Sequence, residues 1–180
     1  MITVEYISGP ESYGDEIRRL LAAADDEFVP PLSAREGTTQ TEGLSEQRND
    51  VLDEYYEQCI DQSFILAYEA DTVYGFLSFK RGYDIEEFGQ YTPSTYVSTV
   101  IVDPDTRREG YARAMYEELL TNTPEEIRDP YVTTRTWSTN DRHLNLLDDL
   151  GFELLERVED DRGDGIDTVY YGIEVEQFDG

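Results

Sequence analysis

The chain has 180 residues, with 41 Asp or Glu against 14 Lys or Arg, for a formal charge of −27. That length suits a single domain, 1–180, and the absence of a basic stripe to neutralise phosphates argues against nucleic-acid binding. One cysteine (Cys59) and one histidine (His143) exclude an internal disulfide and metal sites built from several thiolates or imidazoles.

The first residues, Met1 to Glu5, place no basic region ahead of an apolar one, so no secretory signal is expected. No apolar run approaches the roughly 20 residues that span a bilayer, and a cytoplasmic, membrane-free protein is the expectation. Residues 2–7 predict a short strand, and 10–24 a helix with an apolar stripe of Ile17, Leu20 and Leu21. The segment 28–43 contains two prolines with several Gly, Ser and Thr, which predicts a loop. A second helix is predicted over 45–60, where Val51, Leu52, Tyr55 and Tyr56 recur at helical spacing. Residues 64–68 and 73–79 read as a hairpin turning near Ala70 and Asp71, and 81–94 as a polar loop. The β-branched run 95–102 suits a strand buried mid-sheet. After a charged turn at 103–109, a helix over 110–122 places Ala112, Met115, Tyr116 and Leu119 on one face. A strand at 131–137, a helix at 140–150, and strands at 152–158 and 166–175 around an acidic loop (159–165) complete the chain. This order predicts an α/β fold: a mixed sheet of six or seven strands flanked by four helices.

The composition carries a second message. Aromatic content of 12% is too rich for a disordered polyanion, so the charge belongs to a folded surface. Thirteen of the 14 cations are Arg, and Lys80 is the only lysine. Carboxylates spread along the whole chain repel one another in dilute buffer, and high ionic strength relieves that repulsion. The composition reads as that of a salt-in halophile, and its rival is a surface built for a cationic partner.

The stretch from Val100 to Ala112 concentrates the chemistry: a central strand, a polar loop containing Pro104, Arg107 and Arg108, and a helix opening on Gly110-Tyr111-Ala112. Small residues at 110 and 112 let backbone approach a ligand. The first turn of a helix leaves N–H groups without intrahelical partners at the positive end of the dipole, which suits a diphosphate. The same pattern also fits an ordinary strand–turn–helix whose arginines pair with surface carboxylates.

Val102-x-Pro104-x-x-Arg107-x-x-Gly110-x-Ala112 resembles the acyl-CoA signature of the GNAT superfamily of N-acetyltransferases. Asn140, Leu146, Gly151 and Phe152 are similar to a later motif of that family, at the distance it would place them. The resemblance implies a single-domain GNAT fold that binds acetyl-CoA as co-substrate, without a metal, and acetylates a primary amine. It implies that backbone groups of Val100, Ile101 and Val102 hold the pantetheine arm. Amides of Arg107, Arg108, Glu109, Gly110, Tyr111 and Ala112 would cradle the diphosphate. Asn140 would hold pantetheine, cap its helix, or do both. Homodimers are common in that superfamily.

One departure concerns catalysis. Many members of the family carry a Tyr acid just after the position of Leu146, where this chain has Leu147, which cannot donate a proton. His143, one turn earlier on the same helical face, is a candidate substitute, with Tyr111 and Tyr116 as others. Glu86 and Glu87 are candidate bases or plain surface residues. The acceptor pocket is expected from segments 28–43, 81–94 and 159–165, whose acidity favours a cationic amine. Two other functions fit the same signature: a catalytically silent acyl-CoA-binding regulatory module, and an acyltransferase using a different acyl donor.

Overall fold

A computed structural model of the chain describes residues 1–28 and 44–180, the side chains of 44–51 excepted. Seven strands form one sheet: β1 (Thr3–Ile7), β2 (Ser63–Glu69), β3 (Thr72–Tyr83), β4 (Ser94–Val102), β5 (Tyr131–Trp137), β6 (Glu153–Val158) and β7 (Thr168–Glu174). Their spatial order is β1-β2-β3-β4-β5-β7-β6. Only β4 and β5 pair in parallel; every other neighbouring pair is antiparallel. A parallel pair needs a crossover, and here it includes helix α3 (Tyr111–Thr121).

Side-chain alternation assigns the two faces. Ile65 and Ala67 of β2 and Leu77 and Phe79 of β3 bury against α3 and α4 (Asp141–Leu150), together with Met115, Leu119, Leu147 and Leu150. Phe64 and Leu66 point the other way and join Phe76 under α1 (Gly14–Ala24) and α2 (Leu44–Ile60), which contribute Ile17, Leu20, Leu21, Leu52 and Tyr56. The sheet is therefore covered on both faces, as the uninterrupted apolar reading of its middle strands requires. Among the described residues no helix is long and apolar enough to cross a membrane.

The predicted fold class holds, with local corrections. Residues 10–13 form a 3-10 turn, and the α-helix begins only at Gly14. β3 runs on to Tyr83, taking the first residues of the expected polar loop into the sheet. The rest of that segment buries Phe88 completely, in a cluster with Tyr91, Tyr96 and Tyr170. The predicted loop at 28–43 lies, from residue 29 onward, outside the described residues.

Candidate active site

β4 and β5 share three rungs, Thr95↔Val132, Tyr96↔Thr133 and Val97↔Thr134, and then part. The divergence coincides with an irregularity on the opposite edge of β4. Thr99 pairs with Ser78 and Val97 with Phe79, leaving Ser98 as an extra residue. Such a bulge bends its strand and increases its twist. It also reverses the alternation: Val97 joins the α3/α4 core, whereas Ile101, four residues on, joins the other. Ser98 is held by hydrogen bonding to Ser78 Oγ (3.0 Å) and to the Gln62 side chain.

A cavity of about 360 Å3 fills the resulting cleft, walled by β4 from Val97 to Val102, by β5 from Thr134 to Trp137, and by the openings of α3 and α4. Of the ten predicted ligand residues, Val100, Ile101, Val102, Arg107, Arg108, Gly110, Tyr111, Ala112 and Asn140 line it. Glu109 does not; its side chain is exposed.

The loop ahead of α3 is fixed from below. Asp103 N–H donates to the Tyr74 carbonyl (2.7 Å), while the Asp103 carboxylate accepts from Asp105 N–H (3.1 Å) and from Arg19 Nη1 (2.6 Å). Burial alone would raise the Asp103 pKa, but the bonds from Arg19 and Asp105 hold it below its ordinary value. Arg108 (φ 71°) and Gly110 (φ 92°) then turn the backbone through the left-handed region into α3. Among the described residues, no N–H from Gly110 to Arg113 has a hydrogen-bond partner; the first in the helix to find one is Ala114, bonded to the Gly110 carbonyl at 3.0 Å. A set of unpartnered amides at a helix N-terminus favours an anion.

Arg142 and Arg113 join Arg107 and Arg108 on the same wall. Arg107 pairs with Glu27 across the cleft. Its pKa is lowered, first by burial and then by the charge of Arg142. An incoming anion would relieve that crowding of positive charge.

On α4, Asn140 occupies the N-cap position without capping the helix. Its Nδ2 donates instead to Thr136 Oγ1 at 3.0 Å, tying the helix start to β5. His143, half-buried, lines the cleft, and its Nε2 lies 2.8 Å from the hydroxyl of Tyr116. Burial lowers the imidazole pKa to about 4, so the ring is neutral at pH 7. Burial likewise raises the pKa of Tyr116, which stays protonated. Leu147 lies wholly within the core and forms no part of the cavity, unlike its neighbour Leu146. Tyr111 is buried against Tyr74, ring centroids 5.5 Å apart.

A second cavity, of about 300 Å3, lies on the other side of the bulge and shares Phe28, Ser98, Arg135 and Trp137 with the first. The rings of Phe28 and Trp137 stand 5.5 Å apart at this junction. Of the segments expected to build an acceptor pocket, 28–43 contributes Phe28, 81–94 contributes Tyr83, and 159–165 contributes Arg162. Glu86 and Glu87 line neither cavity. Sequence reasoning missed the charged residues Lys80, Arg135 and Glu54 here, and Arg113 and Arg142 in the first cavity. Arg135 was detectable as a lone charge inside a Thr-rich strand, and Lys80 as the only lysine. Cys59 also lines this cavity, but burial raises its thiol to about 11, which leaves it an unreactive neutral thiol.

The profile of the Acetyltransferase (GNAT) family matches residues 22–152, well over half of the chain. A search of curated proteins finds no match. Several solved structures share the fold. An acetyltransferase of the GNAT family from Bacillus cereus ATCC 10987 superposes with a TM-score of 0.66 at 18% identity, covering 97% of both chains. The N-acetyltransferase of Staphylococcus aureus Mu50 gives 0.64 at 14%, covering 97% of this chain and 99% of that one. The yncA protein of Salmonella typhimurium, solved with its cofactor acetyl-CoA, gives 0.63 at 14%, covering 99% and 96%. With the signature residues gathered around one cleft and the profile matching across it, the chain belongs to the GNAT acetyltransferase family.

Proposed function

We propose that the protein is an N-acetyltransferase that moves the acetyl group of acetyl-CoA to a primary amine. The observation that carries this reading is the run of amides from Gly110 to Arg113, unpartnered among the described residues, at the wall of the cleft where β4 leaves β5. In this reading the diphosphate of the co-substrate sits on those amides, with Arg107, Arg108 and Arg142 around it. The pantetheine runs along the bare edge of β4 from Val102 towards Ser98, acting as an added strand. Asn140 flanks it from the start of α4. The thioester then arrives at the junction of the two cavities, between Phe28 and Trp137, and the amine approaches from the second cavity.

Attack of the neutral amine on the thioester carbon forms the N–C bond. Collapse of the tetrahedral adduct breaks the C–S bond, the nitrogen gives up a proton to the base, and the sulfur leaves as a thiolate that takes up a proton from solvent. Holding both reactants in line supplies much of the acceleration. Glu54, the one carboxylate lining the second cavity among the described residues, is our candidate for accepting the amine proton. His143, neutral and oriented by Tyr116, serves as an uncharged hydrogen-bonding group in the cleft, not as a charged acid.

Calorimetry in molar KCl tests this directly. Acetyl-CoA and CoA are expected to bind with measurable heat and a stoichiometry of one, and thiol release is expected on adding an amine. No binding heat with either ligand would overturn the assignment.

A further inference from the structure

Among the described residues the two cavities meet at Phe28, Ser98, Arg135 and Trp137, and two of these four carry large rings. The ring centroids of Phe28 and Trp137 stand 5.5 Å apart, with their planes inclined by 50°. At that spacing two rings touch. A methylene held between rings needs carbon contacts of about 3.5–4.0 Å on each side, so none passes between these two.

Each ring is held from behind. Trp137 ends β5, where it pairs with Thr168 of β7. The Arg162 guanidinium lies 5.7 Å from the Trp137 ring, and Arg162 Nε donates to the hydroxyl of that same Thr168 at 3.0 Å. Phe28, half-buried, follows a 3-10 turn, Asp25–Glu27, and its N–H donates to the Asp25 carbonyl at 3.4 Å. The neighbouring Glu27 pairs with Arg107 in the loop ahead of α3. One ring is carried by the sheet and the other by the turn after α1, so the pair closes the junction from two sides.

In the acetyltransferase reading the thioester carbon lies at this junction. The sulfur occupies the first cavity and the amine arrives from the second, which leaves the acyl chain as the substituent facing the rings. A methyl group ends beside them. Each further carbon has to part a contact that the anchors on both sides oppose. From this geometry we infer that Phe28 and Trp137 select the acyl donor by length, taking acetyl and refusing butyryl and longer chains. This selection rests on the acetyltransferase reading and adds to it the residues that decide which thioester is used.

The test uses the full chain in molar KCl and needs no acceptor. Binding of CoA, acetyl-CoA and hexanoyl-CoA is measured by calorimetry; if neither CoA nor acetyl-CoA binds, the reading underneath fails. The wild-type protein is expected to bind acetyl-CoA at least as tightly as hexanoyl-CoA, because the longer chain finds no apolar space. In Phe28→Ala and in Trp137→Leu, hexanoyl-CoA is expected to bind about tenfold tighter than acetyl-CoA, since its extra methylenes are now buried. The two ligands are compared within each variant, so a general loss of affinity cancels. Phe28→Tyr keeps the ring and should behave as the wild type. Melting curves identify the folded variants, and should Trp137→Leu not fold, Phe28→Ala decides alone, because Phe28 is half-buried at the end of a turn. A tenfold preference for hexanoyl-CoA in the wild type, or a wild-type ratio in every folded ring-removing variant, overturns the selection while the acetyl-CoA assignment stands.

Discussion

The hydroxyl of Tyr116 and Nε2 of His143 lie 2.8 Å apart, joining α3 to α4 beneath the cleft. Tyr116 comes from the core face of its helix and is fully buried, whereas His143 reaches the cavity. The bond fixes the imidazole so that one nitrogen is committed to the core and the other is left for the cleft. It also joins the two helices whose first turns carry the signature residues.

That environment gives the imidazole a testable titration. His143 is the only histidine, so its ring proton resonances need no assignment. The folded protein is expected to titrate near pH 4, against about 6.5 for the unfolded chain. Between those values the unfolded state binds a proton that the native state refuses, so stability falls as pH drops through the window. The contribution is intact above pH 6.5 and amounts to at most about 3 kcal/mol. His143→Asn should flatten the wild-type slope of unfolding free energy between pH 6.5 and 4, and an apparent pKa near 6.5 in the folded protein would refute the burial argument.

Gly110 holds φ 92° at the mouth of α3, and a Cβ there would meet nothing closer than Ile2 Cδ1 at 4.0 Å. The cost of Gly110→Ala is therefore backbone strain and not a clash, about 1 kcal/mol. Since relaxing that strain reorients the amides of 110–112, coenzyme A affinity is expected to fall about tenfold, more than the stability loss alone would suggest. Melting curves and calorimetry on the same preparation separate the two effects.

Gly75 makes the opposite case. It sits in β3 opposite Val102, and a Cβ would come within 2.9 Å of the Ile101 carbonyl oxygen and 3.2 Å of Met115 Cε. Backbone cannot yield as a side-chain tip can, so Gly75→Ala is expected to cost about 2–3 kcal/mol. Chemical denaturation reads this directly, and a neutral result would mean that β3 and β4 are less tightly coupled than the register implies.

Restoring a tyrosine at position 147 should not restore an acid. Leu147 is wholly buried between Leu150, Phe152 and the α3 core, away from the cavity lining. Leu147→Tyr would overpack that core by about 1–3 kcal/mol, with no gain in thiol-release rate. A faster enzyme would show that the tyrosine hydroxyl reaches the cleft after all.

The charge of −27 predicts a salt requirement. Raising KCl from about 0.1 to 2 M shortens the screening length from roughly 10 Å to a few ångströms, and the melting temperature is expected to climb by on the order of 10 °C as repulsion between carboxylates is removed. Identical melting curves at both concentrations would refute adaptation to high salt.

Much of this molecule is written locally. The β-branched run 95–102 and the strand at 131–137 read as strands because their periodicity and residue types have no other stable use. The helix opening at Gly110 was legible for a similar reason: small residues and a preceding proline-containing turn are local requirements of backbone geometry. Nine of the ten proposed ligand residues line one cleft because they belong to two short motifs, each carried whole by one strand end and one helix start.

What local pattern could not decide was anything produced by pairing between distant segments. The bulge at Ser98 exists only because β4 must match β3 on one side and β5 on the other, and β4 alone reads as an unbroken strand. Lys80, Arg135, Arg162 and Glu54 lie on four different elements, and nothing in their neighbourhoods announces that they share a cavity. Composition averages charge over a surface, while a binding site depends on the few side chains that the fold turns inward, so the total of −27 could not say which charges line either cavity.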